Sequence, residues 1–159
     1  MEKQYEISAE VMDRIETICA IGNTKEEKEC IKRYLLEIIT DVRSVVDFDY
    51  HDIYTTFWGG GKVTAFEVAA SADDEQRMHH LVEQIRQKCA QIAPFSKMIL
   101  YLMCCDKCML KMDEVNELND WFSTLDNNLD IRWGFSKNCE DNLRAIVLLQ
   151  KQQKRNGDK

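Results

Sequence analysis

Lys97-Met-Ile-Leu-Tyr-Leu-Met-Cys-Cys105 runs for nine residues with almost no polar break, and its reading decides the fold. An apolar run of this length reads as a strand covered on both faces. Downstream, Met112 to Leu125 places Val115, Leu118, Phe122 and Leu125 at helical spacing, and the first-turn carboxylates Asp113 and Glu114 suit the helix dipole. A crossover helix after a buried strand implies a parallel neighbour. Asp126-Asn127-Asn128 breaks that helix, and Leu129 to Phe135 alternates as the neighbouring strand. Polar residues 136 to 142 turn the chain. Leu143-Arg-Ala-Ile-Val-Leu-Leu149 then returns as a strand antiparallel to the one just left, the two closing on each other.

Length and composition bound what surrounds this stretch. At 159 residues the expectation is one domain with a core of ordinary size, and 45% apolar with 31% charged residues fits a globular, cytoplasmic chain. A net charge of −7 argues against nucleic acid as a partner, because phosphate binding needs a basic face. Only the tail, residues 151–159, is locally basic. No run approaches the roughly 20 apolar residues of a membrane span, and no secretory signal opens the chain. The seven cysteines, at 19, 30, 89, 104, 105, 108 and 139, are odd in number and irregularly spaced. That pattern fits free thiols in a reducing compartment better than a disulfide framework.

Upstream, Ser8 can cap a first helix carrying Val11, Met12, Ile15, Ile18 and Cys19, which Gly22-Asn23 ends. Thr24-Lys-Glu-Glu27 has the form of a capping box. The helix it opens is expected to carry Cys30, Ile31, Tyr34, Leu35, Ile38, Ile39, Val42, Val45 and Val46 on one face over about six turns. Ile53-Tyr-Thr-Thr-Phe-Trp58 has strand composition, and Gly59-Gly-Gly61 is a strong turn signal. Lys62 to Ala69 alternates as a strand. Ser71 or Asp73 then caps a helix with Met78, Leu81, Val82, Ile85, Cys89 and Ile92, which Pro94 stops. The expected fold is therefore α/β, a two-layer sandwich with a mixed four- or five-stranded sheet and flanking helices, preceded by a helical arm. The arm spans residues 1–50, the sheet domain 51–150 and a polar tail 151–159. The arm either folds back on the sheet or projects to make a homodimer.

Several segments resemble the C-terminal domain of FtsZ, the bacterial tubulin homologue. Gly61 to Arg77 resembles its strand, Ala-Ser-Gly-Glu-Asp turn and helix start, and Met112-Asp-Glu-Val-Asn-Glu117 its Leu-x-Glu-Val-Asn-Glu helix. Ile131-Arg-Trp-Gly134 is similar to its Ile-x-Phe-Gly strand, and Leu143 to Leu149 to its final strand. Thr40-Asp-Val-Arg-Ser-Val-Val46 is similar to the Ala-Asp-Val-Arg-Thr-Val-Met that follows the family's synergy loop. Together these cover roughly residues 38 to 150 in the family's order.

The resemblance implies a domain without a nucleotide pocket, since the family holds GTP in a separate N-terminal domain with a Gly-rich phosphate loop. Gly59-Gly-Gly-Lys62 is no substitute, because a phosphate loop opens a helix whereas this one opens a strand. The family's synergy loop presents an asparagine and two aspartates to the next subunit's nucleotide. By alignment Asp41 matches the second aspartate, Ile38 stands at the first and Leu36 at the asparagine. Asp41 is thus the one candidate catalytic residue, and a lone carboxylate does not readily orient a water. Read from its own surroundings, it lies on the polar face of a continuous helix.

Cys105 and Cys108 supply two thiols, whereas a structural zinc site wants four ligands, so no metal and no cofactor is expected. His79 and His80 are adjacent, with side chains about 100° apart on a helix, and read as a solvated pair. Met103, Met109, Met112, Phe57, Trp58 and Trp121 are candidates for contact with a partner, with core packing as the plainer reading. The favoured function is a non-enzymatic FtsZ-like module acting by self-assembly or by docking on a filament subunit, with a role in bacterial cell division. The alternative is a fragment of an FtsZ-like GTPase whose Asp41 loop assists hydrolysis on a neighbour. A small enzyme built on His79-His80 or Cys104 to Cys108 lacks an oriented nucleophile and base.

Overall fold

A computed structural model describes residues 9–41, 44–46, 50–57, 60–105, 107–137 and 142–151, with only the backbone described for 44–46, 50 and 51. The cap expected at Ser8, the helical position of Val42, Trp58, Gly59, Cys139 and residues 152–159 lie outside them. In chain order the elements are α1 (Ala9–Ala20), α2 (Lys25–Ile39), β1 (Ser44–Val46), α3 (Tyr50–Phe57), β2 (Val63–Ser71), α4 (Arg77–Ile92), β3 (Lys97–Met103), α5 (Met112–Ser123), β4 (Asp130–Ser136) and β5 (Asn142–Gln150).

The first helices end and start as their residues dictate. Gly22 takes φ +68°, the left-handed conformation that closes α1. Asn23 beside it donates from Nδ2 to the Cys19 carbonyl at 2.8 Å. The Thr24 hydroxyl accepts from the Glu27 amide at 3.2 Å while Glu27 accepts from the Thr24 amide at 3.0 Å, the reciprocal capping box. The six-turn expectation for α2 is corrected: it stops at Ile39, where the Thr40 amide and hydroxyl both turn back to the Leu36 carbonyl. Thr40, Val45 and Val46 are β-branched and favour an extended chain. Residues 44–46 accordingly leave the helix and add a short edge strand to the sheet.

The five strands run in the order β1-β4-β3-β5-β2. β3 and β4 are parallel, with Tyr101 opposite Gly134, and α5 makes the crossover between them. β5 does not close on β4, as the sequence suggested; it inserts antiparallel between β3 and β2. Burial explains the placement, since β3 and β5 are buried on both faces whereas β4 carries the exposed Arg132 and β2 an exposed Ala69. The strands with most apolar surface take the centre, where two neighbours and two helical layers cover them. β2 forms an outer edge. The Val63 carbonyl there accepts from Asn23 and the Ala69 carbonyl from Gln84, so side chains cover part of that edge.

Two cores lie on the two faces of the sheet. Leu81, Ile85, Cys89, Leu118 and Trp121 of α4 and α5 pack on Met98, Leu100, Leu102, Val147 and Leu149. On the opposite face Ile15, Ile18, Leu35, Ile38, Ile53 and Phe57 pack on Ile99, Tyr101, Ile146 and Leu148. The helical arm therefore folds back as a third layer over the sheet. Arg144 of β5 adds ion pairs to Glu67 of β2 and to Glu37 of α2, the latter at 3.3 Å, which tie the arm to the strands.

The strand expected over residues 53–58 is instead helix α3. Ile53 and Phe57, four residues apart, share its buried face, and the buried Thr56 hydroxyl bonds back to the Asp52 carbonyl at 2.7 Å. Its last carbonyls find distant donors: Lys97 Nζ reaches Thr56 at 2.5 Å and Gln150 Nε2 reaches Phe57 at 2.7 Å. These partners come from β3 and β5, so nothing local to the segment announces them. The caps expected at Ser71 and Asp73 are also displaced. Ser71 ends β2, its hydroxyl accepting from the Asp73 amide, and α4 begins only at Arg77 after a turn held by Asp74.

Candidate functional site

Asp41 sits just past the end of α2, its amide bonded to the Ile38 carbonyl at 3.3 Å. It is only 8% exposed, and the Tyr101 hydroxyl donates to its carboxylate at 2.6 Å. Tyr101 stands at the middle of β3 and is fully buried. The expected position on the polar face of a continuous helix is therefore overturned: α2 has ended, and the chain turns Asp41 inward over the sheet. A carboxylate bonded to a buried phenol anchors α2 to β3. Ile38, at the aligned first-aspartate position, is buried in the same core, and Leu36 packs partly against it.

The strongest polar constellation joins α4 to α5. Arg77 is 4% exposed and grips Glu114 with two parallel bonds, Nε to Oε2 at 2.6 Å and Nη2 to Oε1 at 2.8 Å. The same Nη2 donates to the Met109 carbonyl at 3.0 Å. Glu114 also accepts the Lys111 amide at 2.9 Å, which caps α5. Burial pushes the Glu114 carboxyl up, but the Arg77 bond, the Lys111 amide and the nearby charges outweigh it and leave the group below its ordinary value. The Glu114 bond in turn raises the Arg77 guanidinium. Sequence reasoning read Glu114 only as a dipole partner and missed Arg77. The signal was present, since Arg77 lies four residues before Leu81 and Glu114 four before Leu118, opposite charges on two apolar stripes.

The remaining candidates scatter. His79 bonds Glu117 at 3.1 Å and His80 bonds Asp74, both exposed, so the two imidazoles serve different carboxylates. Among the described residues no three His, Cys, Asp or Glu side chains converge on a metal position. Gly60 and Gly61 spend their amides on the Phe57 and Lys151 carbonyls, which leaves neither free to cradle a phosphate. Phe57, Met103 and Trp121 are core residues and Met109 packs partly against the core, whereas Met112 is 74% exposed at the start of α5. A groove of about 250 Å³ lies between Asn23, Glu27, Cys30 and Val63 to Ala65, smaller than the roughly 300–1,000 Å³ of ordinary ligand pockets. No helix among the described residues is long and apolar enough to cross a membrane.

No family model and no curated protein sequence matches this chain. Solved structures do. An empty FtsZ dimer from M. jannaschii is 20% identical over 86% of this chain and 43% of its own length, with a TM-score of 0.58. A GTPγS-form protofilament of TubZ from Bacillus thuringiensis serovar israelensis matches over 90% of this chain and 40% of its own, at 10% identity and TM-score 0.58. GDP-bound monomeric CetZ1 from Haloferax volcanii matches over 84% and 42%, at 12% identity and TM-score 0.52. The likeness establishes the fold as that of the C-terminal part of FtsZ/tubulin-like chains. This chain spans less than half the length of the structures it resembles.

Proposed function

We propose that this chain is an FtsZ-like C-terminal-domain module that works by association, with copies of itself or with an FtsZ-like filament subunit, in cell division or a related assembly process. It performs no reaction of its own. The observation that carries this reading is the coverage: nearly all of this chain superposes on FtsZ and TubZ, and the matched part is their C-terminal portion. The carboxylates that would matter for chemistry are engaged in the scaffold, Asp41 by Tyr101 and Glu114 by Arg77. Light scattering of the purified chain over a hundredfold concentration range, with and without GTP, tests it. The expected result is a mass that rises with concentration and ignores GTP, or co-sedimentation with a polymerising FtsZ. A strict monomer that never co-sediments overturns it.

A second reading is favoured by the same half-length coverage: the chain complements a nucleotide-binding domain, and Asp41 assists hydrolysis there. Mixing the chain with an isolated FtsZ-type nucleotide domain should then raise GTP turnover, and Asp41→Ala should abolish the gain. Turnover unchanged at concentrations where the two bind refutes it. The burial of Asp41 against Tyr101 weighs against this role.

A further inference from the structure

Six of the seven cysteines lie among the described residues, and their surroundings sort them. Cys19, Cys89 and Cys104 are buried. Burial pushes the Cys19 thiol up to about 12 and the Cys89 thiol up to about 11, so both stay protonated and inert near neutral pH. Cys105 and Cys108 differ. Like Cys30 they are half-buried, but these two pair with each other in an isolated backbone bridge between β3 and α5.

The backbones of the two residues are already joined. The Cys108 amide donates to the Cys105 carbonyl at 3.0 Å, and the two residues pair as an isolated antiparallel bridge. A four-residue turn keeps its end Cα atoms within about 7 Å, and a disulfide spans roughly 4.4–6.8 Å between Cα atoms. The Cα spacing of the pair therefore overlaps the range that a disulfide spans. The Lys107 amide donates to Cys105 Sγ at 3.4 Å, and the Arg77 cation lies within electrostatic reach of Cys108. Both thiols are partly open to solvent, where a small disulfide can reach them. A bound metal would want a third ligand, and among the described residues no such group of three gathers.

We propose that Cys105 and Cys108 form a reversible dithiol–disulfide pair, oxidised by exchange with a low-molecular-weight disulfide. One thiolate of the pair attacks a sulfur of the small disulfide, forms a mixed disulfide and expels one small thiolate. The second thiolate attacks the protein sulfur of that mixed disulfide and expels the other. The pair loses two electrons and two protons, and the small disulfide is reduced to two thiols. The bond closes immediately before Met109, whose carbonyl Arg77 holds, so oxidation stiffens the approach to α5 without touching the β3 ladder.

The test is mass spectrometry of the full chain equilibrated in buffers of reduced and oxidised glutathione. Trypsin cuts after Lys107, so the link joins the peptides 98–107 and 108–111. The expected result is loss of two hydrogens from the intact chain, with those two peptides linked, reversed by a dithiol reductant. Cys105→Ser and Cys108→Ser should each abolish the link, and Cys104→Ser should keep it. Cys105 and Cys108 are half-buried, so those two variants should fold; if either does not, fragmentation of the wild-type linked peptide between Cys104 and Cys105 assigns the bonded sulfur. The proposal is overturned if no thiol pair is lost at any glutathione ratio. A glutathione adduct that never resolves to the ring, or a link that survives Cys105→Ser, overturns it equally.

Discussion

Replacing Arg77 by methionine should cost this protein roughly 3–5 kcal/mol, the range for removing one partner of a buried ion pair. The structure shows why the loss is large. Arg77 donates two bonds to Glu114 and one to the Met109 carbonyl, and methionine leaves both acceptors facing an apolar side chain. Glu114 keeps its bond from the Lys111 amide, which puts the expected loss towards the lower end of the range. Replacing both residues, Arg77→Met with Glu114→Leu, removes the stranded charge along with its partner. The double variant should therefore recover most of the loss, as apolar replacements of buried pairs do. The assay is urea unfolding of the wild type, both single variants and the double, at constant m value. pH supplies a second axis. Because Glu114 is held below its ordinary 4.5, the pair's stability is fully present above that value and is lost as pH falls through the depressed folded value. Arg77→Met should flatten this acid limb. A single-variant loss under about 1 kcal/mol, the size of an exposed ion pair, would refute the reasoning.

Leu35→Ala, at a fully buried position of α2 facing the sheet, should cost roughly 2–5 kcal/mol by urea unfolding, whereas a projecting arm would make it nearly silent. Tyr101→Phe removes the donor to Asp41 and should cost about 1–3 kcal/mol in the same assay, with unchanged circular dichroism. Gly60→Ala would set a Cβ 2.3 Å from the Gln150 amide, which is itself bonded to the Phe57 and Gly61 carbonyls, so it should destabilise by about 1–3 kcal/mol. Gln150→Ala in that background should show non-additive losses, because the clash disappears with the side chain.

The parts that could be read in advance are those whose cause is local. The Thr24–Glu27 capping box lies within four residues, and Gly22-Asn23 needs only its own backbone and the Cys19 carbonyl. The buried run of β3, the crossover helix α5 and the parallel β4 follow from apolar period alone. Segments 61–77, 112–117, 131–134 and 143–149 carried the resemblance to the FtsZ C-terminal domain, and the structural neighbours share that fold.

The fold class and most of the element order were thus legible in the residues, because apolar period and capping act over a few positions. Tertiary structure alone decided four things. α3 is a helix despite its strand composition, since Lys97 and Gln150 reach its carbonyls from strands 41 and 93 residues away. β5 lies between β3 and β2 because the most apolar strands gain most from the middle of the sheet. Asp41 faces Tyr101 across 60 residues of chain, and Arg77 faces Glu114 across 37. A polar side chain looks the same in sequence whether it meets water or a buried partner. Only the folded chain supplies the partner, and in its absence the burial of Asp41, Arg77 or Gln150 would cost more free energy than it returns.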